Sequence, residues 1–308
     1  MGGLVGSVVL AACLLAMSSG ALFAQVKGTY LYTLSNFSGH LREDWVRVTV
    51  DQEGEEIYAV YSSIVRIFNP SGMEIFSFGD DLDLGRILDV AVDSNGDIIL
   101  LSYKDFRSVV TRCNFRGEPI GEIEITNVPA PLVFGANRMI LRNGLFYFAS
   151  LNSASVIITD ANGEFREHIE FLPLLDEEEK KKGNAEMFGF SVDGEGRMYF
   201  TIPVLFKAYR LSPDKTLESF GRPGSAAGRF GVVGGITSDS RGNVIVLDKL
   251  KSAVMIFDKN FGFLAEFGYR GPKPENLFVP DGIAIDKRDR IYVSQGRLRG
   301  VSVFALAP

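Results

Sequence analysis

The chain has 308 residues with 38 acidic and 32 basic side chains, a net charge of −6 that argues against general nucleic-acid binding. Its 33 Gly and 24 Phe, with few Ala-Glu-Lys-Leu runs, lean towards β structure rather than helix. Two Cys and two His exclude a disulfide scaffold and a three-His zinc centre, and no Cys-x-x-Cys-His haem site, Walker loop or Gly-x-Ser-x-Gly elbow is present.

In chain order the first element is apolar. Leu4 to Ala24 carries almost nothing polar, and Gln25 and Lys27 open the polar chain. That is the profile of a secretory signal peptide over residues 1–24, with Ser19-Gly20-Ala21 as a small-x-small cleavage site. No Lys or Arg precedes the apolar core, so only the amino terminus is positive there. The run is also just long enough to span a bilayer, which leaves an uncleaved anchor as the alternative. Leu10-Ala11-Ala12-Cys13 resembles a lipobox, whose Cys would be acylated. The expected location is extracytoplasmic, periplasmic or secreted, with membrane contact only if this segment is kept or lipidated. If Cys13 leaves, Cys113 is the one remaining thiol and no intramolecular disulfide can form.

Residues 25–308 repeat themselves. An apolar triplet, an Asp, a short turn and a second apolar run occur as VTVDQEGEEIYAV at Asp51, VAVDSNGDIILL at Asp93 and FSVDGEGRMYFT at Asp193. They recur as ITSDSRGNVIVL at Asp239 and IAIDKRDRIYVS at Asp286. A degenerate copy, RMILRNGLFYFA, has Leu141 in the Asp position and Asn143-Gly144 at the turn. Each copy predicts a hairpin, because Asp bonds its own backbone ahead of the turn and Gly accepts the positive φ that closes it. Each is followed by a second hairpin, as in VRIFNPSGMEIFSFG and VMIFDKNFGFLAEFG. Four short strands in about 45 residues make a propeller blade. Six copies therefore predict an all-β, six-bladed β-propeller of four-stranded antiparallel blades. Between the third and fourth copies, LDEEEKKKGN predicts one or two helical turns with Glu177–Lys181 and Glu178–Lys182 pairs, in a solvated excursion.

The sixth copy ends with GVSVFALAP, before its fourth strand. GTYLYTLSNFSG from Gly28 reads like GFLAEFGYRG from Gly262, so Tyr30–Leu34 is expected to pair with the last blade and close the ring. An open ring would leave bare strand edges. Pro280, Gly282, Ile283, Ala284, Asp286, Tyr292, Val303 and Phe304 carry a pattern that resembles the NHL repeat family, and Phe263, Leu264, Phe267 and Gly268 add to it. The likeness spans roughly Gly28 to Leu306 and is weakest in the third copy. It implies the propeller fold but no single function, since such rings serve as sensors, protein- or RNA-binding platforms, lactonases and lyases.

By alignment to that family, the residue four before each turn Asp lies at one mouth of the central channel. The six positions read Arg47, Asp89, Asn137, Gly189, Gly235 and Gly282. A ligand at this mouth would meet Arg47, Asp89 and Asn137, with Trp45 available to stack on it. The plainer readings are an Arg47–Asp89 salt bridge that plugs the channel, and a Trp45 that packs between blades. A gluconolactonase-like ring would instead hold Ca²⁺ or Mg²⁺ with carboxylate and amide oxygens, here Asp89 and Asn137; otherwise no metal or cofactor is expected. Loops joining second and third strands carry Lys104, Arg107, Lys207, Lys249, Lys251, Arg297 and Arg299 against Asp105 and Asp248, while opposite turns hold Asp51, Glu53, Glu55 and Glu56. Nearby connections bring Asp80, Asp81, Asp83 and Asp176–Glu179, which dilute the positive field. Lys249, Lys251, Arg297 and Arg299, on adjacent blades, form the candidate partner face for a protein or an anionic polymer or lipid headgroup. The expected function is a non-catalytic binding or scaffold module, with a divalent-metal hydrolase or lactonase as the alternative.

Overall fold

The computed structural model describes residues 27–80, 83–183 and 185–307. The segment 1–24, with Cys13, lies outside the described residues, as does Asp81. Six four-stranded antiparallel sheets are present among them. Blade one runs Arg47–Val50, Ile57–Tyr61, Ile64–Phe68 and Glu74–Phe78. The first strands of the six blades, from Arg47–Val50 to Pro280–Ile285, touch in succession, and the sixth touches the first. The sequence repeat is therefore a closed, six-bladed β-propeller with an inner ring of first strands.

What holds the ring together is burial between blades. The buried apolar residues fall into six clusters, and each spans one pair of neighbours. Second strands such as Val244–Asp248 and Met198–Ile202 are buried at every position, because both faces of a blade meet another blade. A blade cannot cover its apolar faces alone, and stacking neighbours in a ring removes the need for end caps.

The turn aspartates act as the repeat predicts. Asp286 Oδ1 accepts the backbone amides of Arg288 (2.9 Å) and Arg290 (2.8 Å), and Oδ2 accepts Arg290 Nε (2.6 Å) and the Tyr292 hydroxyl (3.1 Å). Asp193 repeats the arrangement with Glu195, Arg197 and Tyr199. Blade three replaces it with a two-residue turn in which Asn143 (φ 53°) and Gly144 (φ 74°) are both left-handed, the geometry favoured by Asn-Gly.

Ring closure uses a longer segment than Tyr30–Leu34. The strand is Lys27–Thr33, antiparallel to Val301–Ala307 with Tyr30 opposite Phe304, and the Leu34 amide still reaches the Val301 carbonyl at 3.0 Å. Two further expectations are corrected. The acidic run forms a short helix, Glu177–Lys180, closed by a capping box between Asp176 and Glu179; its ion pairs are Lys180–Glu177 and Lys181–Glu178, three apart, because one turn is too short for the i,i+4 pairs. Nor is it wholly solvated, since Glu179 is buried against Lys207 of blade four.

Deleting Lys27–Thr33 should leave the Val301–Ala307 edge unpaired. We expect a melting temperature lower by on the order of 10 °C, or aggregation, in a thermal scan. Unchanged melting would assign closure elsewhere.

Candidate functional site

The channel mouth lies where the inner strands begin. In blades four and five the backbone of the next blade comes too close for a side chain, and in blade six the Ser294 hydroxyl would lie 2.8 Å from a Cβ on Gly282. A Cβ on Gly189 would sit 2.6 Å from the Gly234 carbonyl, and one on Gly235 would sit 2.9 Å from the Asp281 carbonyl. Blades one to three carry Arg47, Asp89 and Asn137 at the matching positions, so at this aligned position the polar side chains fall in one half of the ring.

These residues do not form one cluster. Asp89 is fully buried and pairs with Arg138 of the next blade at 3.3 Å, rather than with Arg47. Its Oδ2 also accepts the Met139 amide (3.0 Å), and Oδ1 accepts the Val90 amide (3.1 Å). Asn137 Oδ1 accepts the Leu151 amide at 3.1 Å and so extends the strand pairing. The expected plug is thus a side-by-side tie between blades two and three, and Arg47 is left with no ion pair among the described residues.

A cavity of about 180 Å³ opens at the mouth, lined by Arg47, Arg138, Phe188, Asp281 and the three glycines. Lys249 stands at its rim: Nζ bonds Asp281 Oδ1 (2.6 Å), lies 4.0 Å above the Phe188 ring and is 5.3 Å from the Trp45 ring. Trp45 is half exposed with its indole edge against Gly296, so it packs on a neighbour and still presents a surface. Three cations and two carboxylates converge here. Burial, and then the nearby Arg47 charge, pull the Arg138 guanidinium down to about 10, so it is still cationic at neutral pH. Arg138 also separates this cavity from a wider one of about 590 Å³ that opens between the Asp51 and Asp93 turns.

Arg138, Asp281 and Phe188 were not singled out by sequence. Arg138 was one position away in the degenerate third copy, and Asp281 directly precedes an aligned glycine. The partner-face residues are mostly engaged internally. Lys251 is half-buried and pairs with Glu266 (2.8 Å), Lys249 belongs to the mouth, and Arg299 donates to the Lys273 carbonyl (2.9 Å). Arg297 is exposed. His168 lies on the outer strand Phe165–Glu170 of blade three, and His40 on a separate two-residue strand. No group of three or more His, Cys, Asp or Glu able to hold a metal occurs among the described residues. Cys113 is buried between blades one and two, and burial pushes its thiol up to about 11.

No protein-family model matches the chain, and no curated protein sequence matches it. Solved structures do match in fold. Virginiamycin B lyase from Staphylococcus aureus superposes with a TM-score of 0.62 at 12% identity, covering 92% of this chain and 99% of that one. A gluconolactonase from Xanthomonas campestris gives 0.59 at 11% identity over 87% of this chain and 88% of its own. An auxiliary nutrient binding protein from Bacteroides ovatus gives 0.61 at 14% identity over 92% and 77%. At these identities the likeness shows the fold alone.

Two outcomes follow from the packing. Asp89→Ala strands a buried guanidinium and should cost about 3–5 kcal/mol in urea unfolding, whereas Asp89→Ala with Arg138→Met should recover much of that loss. Alkylation at pH 8 followed by peptide mapping should leave Cys113 unmodified in the native protein and modify it in urea.

Proposed function

We propose that this protein is an extracytoplasmic binding module, NHL-like in its repeat, whose channel mouth takes a small anionic ligand. The observation that carries the reading is Arg47: partly buried at a cavity wall, without an ion pair among the described residues, and close enough to Arg138 to lower that group's proton affinity. A carboxylate or similar oxyanion between the two guanidiniums would relieve their repulsion and accept forked hydrogen bonds. Phe188 and Trp45, already bridged by Lys249, offer apolar surface to the rest of such a ligand.

The metal-dependent hydrolase alternative fits these residues poorly. Ca²⁺ or Mg²⁺ at Asp89 and Asn137 would need their oxygens, which already accept backbone amides, and would sit against the Arg138 cation. A lyase or lactonase reading based on the similar folds rests on fold alone.

The chain has a single Trp, so Trp45 reports directly on the mouth. Gluconate, citrate and benzoate are titrated with glucose as the neutral control. A saturable change in Trp45 emission is expected with an anion, weakened about tenfold or more by Arg47→Gln. An equal response from Arg47→Gln would remove the site from the mouth. A melting temperature raised by Ca²⁺ or Mg²⁺, together with gluconolactone hydrolysis, would turn the reading to the hydrolase.

A further inference from the structure

A sector of the mouth face around blades five and six combines unpaired arginines with exposed apolar tips. In an antiparallel blade the turn between second and third strands lies at the same end as the connection to the next blade. The structure ties these segments together here: Lys251 Nζ donates to the Ala226 and Arg229 carbonyls, and Arg299 to those of Gly271 and Lys273. Arg222, Arg229, Arg270, Arg297 and Arg299 all belong to this sector, and none makes an ion pair among the described residues. Three of them crowd one ring, with guanidinium carbons 5.6, 5.7 and 5.2 Å from the centre of Phe278. Like charges so placed repel one another, and a multivalent anionic surface would relieve that repulsion.

Between the cations stand Leu250 (72% exposed), Leu298 (58%), Trp45 (50%) and Tyr269 (46%). Both leucines are flanked by cations, in Lys249-Leu250-Lys251 and Arg297-Leu298-Arg299. The second tip is a turn in which Arg297 and Leu298 are both left-handed, with φ of 61° and 57°, as Ser62-Ser63 and Asp105-Phe106 are in blades one and two, and the Leu298 amide is fixed by Asp44.

We propose that this sector docks on an anionic lipid bilayer. A protein partner would favour one contiguous apolar patch at the centre of the interface. Here single side chains protrude from separate loops at one end of the disc, which suits a plane. The mixture is that of an interfacial contact: leucines to enter the acyl boundary, Trp and Tyr at headgroup level, arginines on anionic headgroups. Asp80, Asp83 and the Asp176–Glu179 run lie at other blade connections, so contact would be tilted onto blades five and six. No helix among the described residues is long and apolar enough to cross a membrane, so binding here is peripheral. The proposal shares Trp45 with the mouth but rests on different cations, and its test varies none of the mouth residues.

The test is co-sedimentation of the full chain with phosphatidylglycerol-containing vesicles and with neutral phosphatidylcholine vesicles. The neutral arm subtracts any insertion by the apolar residues 4–24. Wild type should favour anionic vesicles, and less so at high salt. Arg270→Gln with Arg297→Gln should weaken binding roughly 25-fold, at about fivefold per arginine. Leu250→Ser with Leu298→Ser should weaken it at least about tenfold. Leu298→Ser alone serves if the double variant melts early. Equal wild-type binding to both vesicle types, or to neither, overturns the proposal. So does loss with the arginine variant but not the leucine variants, which would assign the sector to a soluble polyanion or an acidic protein.

Discussion

How closely two inner strands can approach at the axis governs the rest of this molecule. At Gly189 and Gly235 the backbone of the next blade leaves no room for a side chain, and at Gly282 the Ser294 hydroxyl takes that space. Where Arg47, Asp89 and Asn137 stand instead, the space is filled by polar groups that must find partners. Asp89 and Asn137 find them in the adjoining backbone and Arg138, and Arg47 does not. The unpaired Arg47 guanidinium is therefore a consequence of where glycine is missing, and the cavity lies between it and the glycine-bearing strands.

The fold was legible because one local interaction is repeated. A turn Asp that accepts two amides fixes the hairpin, and its spacing counts the blades. The same carboxylate recruits a partner from the second strand, as Asp193 does with Arg197 and Asp286 with Arg290, which is why the repeat persists through diverged copies. Closure was legible from the unfinished sixth blade, but its start was not. Lys27 and Gly28 show no apolar alternation, and their pairing is set by the backbone of Leu306 and Ala307 rather than by side-chain pattern.

The site was legible only in part, for a geometric reason. Alignment places residues on a strand but does not say which strand they reach. Asp89 reaches forward to blade three instead of back to Arg47, because its carboxylate can also satisfy the buried Met139 amide there. Lys251 and Lys207, counted from sequence as surface charge, are held by Glu266 and Glu179, acids that lie far along the chain. Long flexible cations near buried carboxylates are drawn inward, and no spacing rule predicts that.

The same accounting changes the meaning of the net charge. Four of the five turn aspartates, Asp93, Asp193, Asp239 and Asp286, are matched by Arg112, Arg197, Arg241 and Arg290. These acids are thus neutralised within their own blades. Lys249 and Lys251 on the mouth face are neutralised too, by Asp281 and Glu266. Around blades five and six the unmatched groups include arginines with exposed positions, Arg222, Arg229, Arg270 and Arg297. A partner approaching within a screening length of about 8 Å meets this local surplus rather than the total of −6. On the turn face the same pairing that neutralises an aspartate also builds its hairpin.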